Sequence, residues 1–310
     1  MIFVKVKKFP LLLLFLGLFT TYALAEPALL QTPATLNFSA SGNNFLWKVK
    51  GNNNTVYILG SLHLAKPEFY PLDEKIENAF ESSDALVVEV DIGKQDPYLL
   101  QQKFFEKGMY YGSDTIADHL SKETFELAKK KLASLGMDIS YMIMYKPWFL
   151  AINLVTLELI KLGFDPNYGI DKYFMDKARG NKDILELETV DFQIGLFDGF
   201  NDSQQELLLF STLLDIDIIE QEMEKMISFW QSGDAEGLEK ILRRGLDEHP
   251  QILPIYEKLF YERNKSMTKK IETFLADGRD YFVVVGAGHL VGKEGIIELL
   301  KEKGYSVNQL

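Results

Sequence analysis

The sequence predicts an α/β (α+β) fold, in which a central mixed sheet takes strands from both chain ends and is flanked by helices. Apolar, strand-like runs stand near both ends, and a large middle region has helical periodicity. The runs at residues 55–60 and 281–286 also share a pattern, because each ends in a glycine followed three positions later by a histidine. Open α/β sheets bind ligands at the carboxyl ends of their strands, so this duplicated unit predicts a site there.

Composition excludes several classes of function. The 310 residues are 47% hydrophobic, enough to bury a full core, and carry a formal net charge of −12. A nucleic-acid partner is not expected, because phosphate binding requires a basic surface. The chain has no cysteine, which excludes disulfides, thiolate metal sites and cysteine nucleophiles. A metal site would have to use histidine, carboxylates or water.

Residues 1–25 have the three parts of a signal peptide. A basic start precedes the apolar residues 11–19, and a small-residue cleavage site lies before Glu26 (Lys5, Lys7 and Lys8; Ala23-Leu24-Ala25). The alternative is an uncleaved anchor, but the apolar stretch is shorter than the roughly 20 residues of a spanning helix. We therefore expect an exported protein, periplasmic or secreted, with no stable membrane anchor after cleavage.

Residues 26–44 are rich in proline, serine and glycine and are interpreted as a leader, followed by a single domain over 45–310. The first elements predicted are strands at 45–50 and 55–62, joined by a Gly-Asn-rich turn that suits a hairpin. A helix at 73–80 and a strand at 85–92 follow.

The middle of the domain is predicted to be mostly helical. Pro147 suits the first turn of an apolar helix that runs to about Leu162, because its missing N–H is not needed there. A strand is expected at 183–188. Ser203-Gln204-Gln205-Glu206 has the pattern of a capping box that opens a second helical stretch, lasting to about Ala276. Residues 203–279 could form a helical subregion or a lid, and the sequence leaves both open.

The end of the chain returns to the sheet, with a strand leading to His289, a helix at 293–303 and a short strand at 305–307. The glycines here do not make a nucleotide site. Gly286-x-Gly288-x-x-Val291 lacks the third glycine of a dinucleotide fingerprint, and Gly292-Lys293 lacks the other residues of a phosphate loop.

His63 and His289 are far apart in sequence, yet each follows a strand in the same relation to a glycine, Gly60 or Gly286. Imidazole is the commonest metal ligand among side chains. Glu89 stands in a run of valine and leucine, where an unpaired carboxylate is costly. Two histidines and a glutamate form the ligand set of hydrolytic metal sites, which leave a position for water. Glu89 is either a ligand or the general base.

A structural interpretation stays open for each of these residues. Each histidine could donate a hydrogen bond to a nearby carbonyl, and Glu89 could pair with a lysine or arginine. The combination favours a site, because buried ionisable groups cluster where proteins function.

With these residues in place, the chain resembles the TraB/GumN family and the related Tiki proteins from about residue 45 onwards. The family pattern of two G-x-x-H motifs and a glutamate matches Gly60/His63, Gly286/His289 and Glu89. Further segments occur in the family's order: Lys146-Pro147-Trp148, Gly169-Ile170-Asp171, Leu187-Glu188-Thr189 with Gln193, and Arg263-Asn264.

The resemblance implies a fold similar to the erythromycin esterases and the haem-binding ChaN proteins. It adds Asp91, Glu188 and Arg263 as candidates, for which an arginine–carboxylate pair that orients the site is an equal alternative. The segments at 146–148 and 169–171 are assigned to packing and helix starts.

Two functions follow from the resemblance, and a structural role in envelope or polysaccharide assembly with a degenerate site is a third possibility. The first is a Tiki-like, metal-dependent peptidase acting on a peptide or protein, in which His63, Glu89 and His289 hold manganese or cobalt, with zinc as an alternative. The second is an envelope protein that binds a peptide or haem without turnover, with His63, His289 or Tyr305 as axial ligand. The oligomeric state is left open.

Overall fold

Six strands form one mixed sheet in the computed structural model, which describes residues 44–310. They are β1 (Leu46–Lys50), β2 (Thr55–Ser61), β3 (Ala85–Val88), β4 (Asp183–Glu186), β5 (Tyr281–Gly286) and β6 (Ser306–Gln309). The order across the sheet is β4-β3-β5-β2-β1-β6. Strands β4, β3, β5 and β2 are parallel, and β1 is antiparallel to both β2 and β6. The predicted mixed sheet with strands from both chain ends is confirmed.

The predicted hairpin is present, with Trp47 paired to Ile58 and Lys50 to Thr55. Its turn is fixed by the amide of Asn54, which donates to the backbone oxygens of Phe274 (2.7 Å) and Arg279 (2.5 Å). These bonds tie the front of the chain to the approach to β5, so β2 and β5 lie side by side. Both strands are mainly apolar and buried, as expected for the centre of a parallel sheet.

Helices occupy most of the chain between and after the strands. The first group is α1 (Glu74–Glu81), α2 (Pro97–Gly108), α3 (Lys122–Ser134), α4 (Pro147–Lys161), α5 (Ile170–Ala178) and α6 (Val190–Asp198). The second is α7 (Asp202–Asp215), α8 (Ile219–Ser232), α9 (Ala235–Glu248), α10 (Leu253–Tyr256), α11 (Glu262–Ala276) and α12 (Ile296–Glu302). A five-residue π-helix, Glu257–Tyr261, joins α10 to α11.

The start of α4 at Pro147 confirms the predicted helix, whereas the predicted capping box at Ser203 is wrong. The cap is two residues earlier: the side chain of Asn201 accepts from the N–H of Gln204, and the Gln204 side chain accepts from the N–H of Asn201. Asparagine and glutamine satisfy free helix N–H groups as well as serine and glutamate do.

Two of the other differences in boundary coincide with turns in the backbone. The third strand ends at Val88 rather than residue 92, because Asp91 accepts the N–H of Lys94 on its backbone oxygen and the chain turns there. The last helix begins at Ile296 rather than 293, because Gly292 adopts a φ of 82° and the N–H of Gly295 bonds back to its carbonyl.

Helix α8 packs beside the sheet edge where the parallel strands end. The indole N–H of Trp230 on α8 donates to the carbonyl of Gly60 at 2.6 Å, which fixes α8 against the end of β2. The choice between subregion and lid for residues 203–279 stays a prediction, as does the single domain over 45–310. The signal peptide (1–25) and the leader up to residue 43 lie outside the described residues. No helix between residues 44 and 310 is both long and apolar enough to span a membrane.

Candidate active site

Four neighbouring parallel strands end at one edge of the sheet, and each is followed by an ionisable residue. His63 follows β2, Glu89 follows β3, Glu188 follows β4 and His289 follows β5. Parallel register brings the strand ends level, with Ser61 paired to Gly286 and Val88 to Glu186. The sheet therefore gathers residues that lie up to 226 positions apart, and the predicted convergence at the carboxyl edge is observed.

The ring of His63 is held by a carboxylate on α5. Its Nδ1 lies 2.7 Å from Oδ2 of Asp171, and the other oxygen of Asp171 accepts from the hydroxyl of Ser61, also at 2.7 Å. Nδ1 therefore donates, and Nε2 is left for another partner. Burial disfavours the charged ring, but the negative charge of Asp171 and its hydrogen bond outweigh that cost and raise the pKa of His63.

Glu89 is a buried, ionised carboxylate with donors on both oxygens. Oε1 accepts the backbone N–H of Gly286 at 2.7 Å. Oε2 accepts from Arg263 at 2.6 Å and from the amide of Gln193 at 3.3 Å. Burial alone would raise the pKa of Glu89, but the surrounding positive groups, Arg263 among them, and the Gly286 N–H lower it. Glu89 is thus fixed in the form that accepts hydrogen bonds or binds cations.

Arg263 joins Glu89 to Glu188 in a buried ion cluster. Its Nε lies 3.0 Å from Oε1 of Glu188, and its Nη2 lies 2.8 Å from Oε2 of the same residue. Its Nη1 donates to the carbonyl of Leu259 in the π-helix at 3.1 Å. The guanidinium, only 3% exposed, thereby compensates two carboxylates that would be costly to bury alone. Single-turn π-helices are frequent at functional sites, and this one lies directly before Arg263.

His289 has a defined tautomer. Its Nδ1 lies 2.6 Å from Oδ1 of Asn264, whose Nδ2 donates to the carbonyl of Glu294 at 2.7 Å. That second bond fixes the orientation of the Asn264 amide, so Oδ1 is an acceptor and Nδ1 of His289 carries the proton. Burial and the nearby charge of Arg263 lower the pKa of His289 to about 3, so the ring is neutral and Nε2 keeps its lone pair.

The free nitrogen of His289 faces the carboxylate. Its Nε2 lies 3.8 Å from Oε1 of Glu89, too far for a hydrogen bond. Gly286 leaves this space open: a Cβ there would stand 3.1 Å from Nε2 of His63, 3.3 Å from Oε1 of Glu89 and 3.6 Å from the His289 ring. His63, Glu89 and His289 thus converge around one glycine.

The imidazole nitrogens and the carboxylate oxygen are of the types that bind divalent cations. Metal–ligand distances are about 2.1 Å for imidazole or carboxylate, so two atoms 3.8 Å apart can share one ion. The Nδ1 hydrogen bonds of both histidines match the outer partners that orient metal-binding imidazoles. Even so, residues 44–310 contain no group of three or more histidine, cysteine, aspartate or glutamate side chains arranged to hold a metal as they stand.

The other predicted candidates fall into two groups. Glu188 and Arg263 belong to the buried cluster, as described above. Asp91 is fully buried but pairs with a different arginine, Arg179.

Three residues of the cluster received no site role from the sequence. Asp171 orients His63, Asn264 orients His289, and Gln193 donates to Glu188 at 2.7 Å as well as to Glu89. The assignment of the 169–171 segment to packing and a helix start was therefore incomplete. Each of the three lies in a motif of the family resemblance, which is the signal that could have identified them.

The fold and the cluster define an α/β protein in which two histidines and Glu89 meet at the carboxyl edge of the sheet. The model of the TraB/PrgY/gumN family matches residues 45–309, and the chain belongs to this family.

Relatives in this comparison come from bacteria and animals. An uncharacterised protein of Escherichia coli, YbaP, is 24% identical over 279 residues, which cover 88% of this chain and 99% of that one. Metalloprotease TIKI2 of Xenopus tropicalis is 24% identical over 318 residues, covering 86% of this chain and 59% of the relative. A metalloprotease TIKI homologue of Amphimedon queenslandica is 34% identical over 82 residues, 26% of this chain and 14% of the relative. No solved structure matches the chain.

Proposed function

We propose that the protein is an exported, divalent-metal-dependent hydrolase, specifically a peptidase. The observation that carries the proposal is the buried pair of lone-pair atoms 3.8 Å apart, Nε2 of His289 and Oε1 of Glu89, beside the ring of His63. Two such atoms repel each other in a buried site unless a positive species lies between them. Relatives that carry the name metalloprotease support the class of reaction.

His63, Glu89 and His289 would hold the cation, and manganese or cobalt is proposed from the family resemblance, with zinc as an alternative. A divalent cation bound there would supply a water of lowered pKa and polarise a substrate carbonyl. Asp171 and Asn264 engage the Nδ1 atoms of His63 and His289, so the Nε2 atom of each ring is the one that would face the cation. Arg263 offsets the charge of Glu89 and Glu188, so the carboxylates stay ionised without surrounding water.

The contacts of Glu89 favour a ligand over a general base. A general base works best when its pKa is near the working pH. The pKa of Glu89 is lowered instead, and three donors occupy its two oxygens. We infer that Glu89 would bind the cation rather than accept a proton from water.

Export is proposed from residues 1–25, and the substrate is proposed to be a peptide or protein. The basic start, apolar stretch and Ala23-Leu24-Ala25 are the parts of a signal peptide. A net charge of −12 does not suit nucleic acid as a partner.

Metal content tests the proposal. The protein purified without its first 25 residues is dialysed against manganese, cobalt or zinc, and bound metal is measured by mass spectrometry alongside cleavage of a peptide library. We expect one metal per chain in the wild type, and loss of both metal and cleavage in the His63→Ala/His289→Ala double variant.

The chain has four histidines, so it offers a matched control. The His119→Ala/His249→Ala double variant removes the same number of imidazoles outside the cluster and should keep metal and cleavage. The proposal fails if the wild type holds no stoichiometric metal, or if the two double variants behave alike.

Binding without turnover is the second candidate. The observation in its favour is that residues 44–310 contain no group of three or more histidine, cysteine, aspartate or glutamate side chains that could hold a metal ion as they stand. A Soret band on haem titration, lost in either single histidine variant and without any peptide cleavage, would establish this function in place of the first.

A further inference from the structure

A pocket adjoins the cluster beneath α8. The space not filled by protein atoms is about 400 Å³, a figure that includes open solvent at its mouth. Met223 and Met226 of α8 and Leu159 of α4 form its outer wall. Its inner wall is the end of β2 with His63, and the stretch Gly286–Gly288 after β5. The pocket therefore shares both His63 and Gly286 with the proposed active site.

This pocket is on the accessible side of the cluster. The side chains of Glu89 and His289 are 6% and 5% exposed, whereas that of His63 is 14% exposed. His63 is thus the most exposed of the three, and we expect a substrate to approach the cluster along its ring. A part of the substrate next to the reacting bond would then lie against Met223 and Met226.

The lining accepts apolar groups. Among residues 44–310, no aspartate, glutamate, lysine or arginine lines the pocket, and the hydroxyl of Ser61, which does line it, already donates to Asp171. A charged side chain placed here would lose its hydration without gaining a partner, which is strongly unfavourable. Methionine side chains are unbranched and adapt to apolar groups of different shape.

The position of the wall is fixed even though its side chains adapt. The indole N–H of Trp230, one turn beyond Met226 on α8, bonds the carbonyl of Gly60, and its ring lies 6.2 Å from that of Phe69. Because the helix backbone is fixed and only the methionine side chains can change conformation, the pocket sets an upper limit on the size of the group that it binds.

We propose that this pocket is a specificity subsite, which receives an aliphatic side chain of leucine or methionine size from the substrate residue next to the cleaved bond. The position of this side chain next to a cleaved bond rests on the proposed hydrolase function. The preference for apolar over charged side chains is a binding property that does not require turnover.

A binding experiment tests the subsite without relying on activity. The chain is labelled with ¹³C at its methionine methyls, and the signals of Met223 and Met226 are assigned from the Met223→Ala and Met226→Ala variants. N-acetyl-leucinamide and N-acetyl-methioninamide should shift these two methyls saturably, while N-acetyl-lysinamide and N-acetyl-glutamic acid amide should not. Met226→Ala should weaken leucinamide binding by about five-fold, because it removes apolar contact area.

Leu213→Ala on α7 is the matched control, because it trims another buried side chain that does not line the pocket. It should leave leucinamide binding unchanged. The subsite is refuted if the two methyls do not move, if charged derivatives bind equally well, or if Leu213→Ala and Met226→Ala have the same effect. Selective apolar binding by a protein that cleaves no peptide would refute the hydrolase instead and leave the subsite standing.

Discussion

Asn264 fixes the protonation of His289 through a 2.6 Å hydrogen bond from Nδ1 to Oδ1. The amide itself is held by the carbonyl of Glu294, so it can present only its oxygen to the ring. This one residue therefore decides which nitrogen of His289 is free to face Glu89.

Replacing Asn264 by leucine should release the tautomer of His289 and lower metal affinity by about 10- to 100-fold, as losses of outer partners do. Asn264→Asp keeps an acceptor and should keep most of the affinity. Ring ¹⁵N chemical shifts report the tautomer, and calorimetric titration with manganese or cobalt reports the affinity.

Asn54→Leu is the control, because Asn54 is also buried and also donates its amide to backbone carbonyls, but in the hairpin turn. It should destabilise the fold and leave metal affinity unchanged. Equal tautomers and equal affinities in wild type and Asn264→Leu would contradict the role given to Asn264.

The sequence predicted the sheet and the convergence of its central residues because strand ends follow from local pattern. Two buried runs that each end in a glycine place a histidine just after each strand, and the two histidines meet if both strands lie in one sheet. The structure shows that these strands are parallel neighbours with level ends. The partners of the histidines could not be predicted in this way. Asp171 and Asn264 reach the site from helices α5 and α11, whose packing angles depend on many side chains at once.

The cap predicted at Ser203 and the place of Asp91 also depend on contacts that a local sequence pattern does not contain. The pattern at Ser203 has the right residue types, but Asn201 and Gln204 satisfy the same N–H groups two residues earlier. When two neighbouring segments both have suitable capping residues, the sequence alone does not show which of them begins the helix. Asp91, a secondary candidate two residues after Glu89, pairs with Arg179 and so lies apart from the cluster.

Loss of the central arginine should be strongly destabilising. Arg263→Met leaves Glu89 and Glu188 buried without their shared cation, so we expect the free energy of unfolding to fall by about 3–5 kcal/mol. Adding Glu188→Gln should recover part of the loss, because one buried charge is then removed. Urea denaturation followed by circular dichroism measures both variants.

Arg279→Met tests the same chemistry at the surface, where Arg279 pairs with Asp183 and both side chains are about half exposed or more. Its cost should be below about 1 kcal/mol. A similar cost for the two arginine variants would show that the buried cluster contributes nothing particular to the fold.

His119 should make stability depend on pH. Its ring lies between Asp202 and Asp114, at 3.0 Å from each, and stacks on Tyr110. Burial works against its charge, but the hydrogen bonds to the two aspartates outweigh this and raise the pKa of His119. Because this pKa is raised on folding, the contribution of His119 to the free energy of unfolding is complete below its unfolded-state pKa of about 6.5. The contribution disappears as the pH rises through the folded-state pKa.

We therefore expect His119→Gln to lower the free energy of unfolding by about 1 kcal/mol at pH 5.5 and by much less at pH 9. The effect is modest because both aspartates are exposed and solvent screens the pairs. Urea denaturation at the two pH values measures the difference. His249→Gln, which changes a histidine outside these ion pairs, should not reproduce this pH dependence. An equal cost of His119→Gln at both pH values would contradict the ion-pair account.

Gly286→Ala should weaken metal binding in a protein that still folds. Its φ of −51° is open to any residue, so alanine causes no backbone strain. The new Cβ would stand 3.1 Å from Nε2 of His63 and 3.3 Å from Oε1 of Glu89, closer than ordinary contacts and in the space a cation would use. Gly286→Ala should therefore lower metal affinity at least about ten-fold, while the crowding costs about 1–3 kcal/mol of stability.

Gly195→Ala on α6 provides the comparison, because a Cβ there meets nothing within 4 Å. Alanine favours a helix over glycine by about 0.5–1 kcal/mol, so this variant should be slightly more stable and bind metal as the wild type does. Thermal unfolding and metal titration of the two alanine variants give the result. If Gly286→Ala binds metal with wild-type affinity, the ion does not lie between His63, Glu89 and His289, and the proposed centre is wrong.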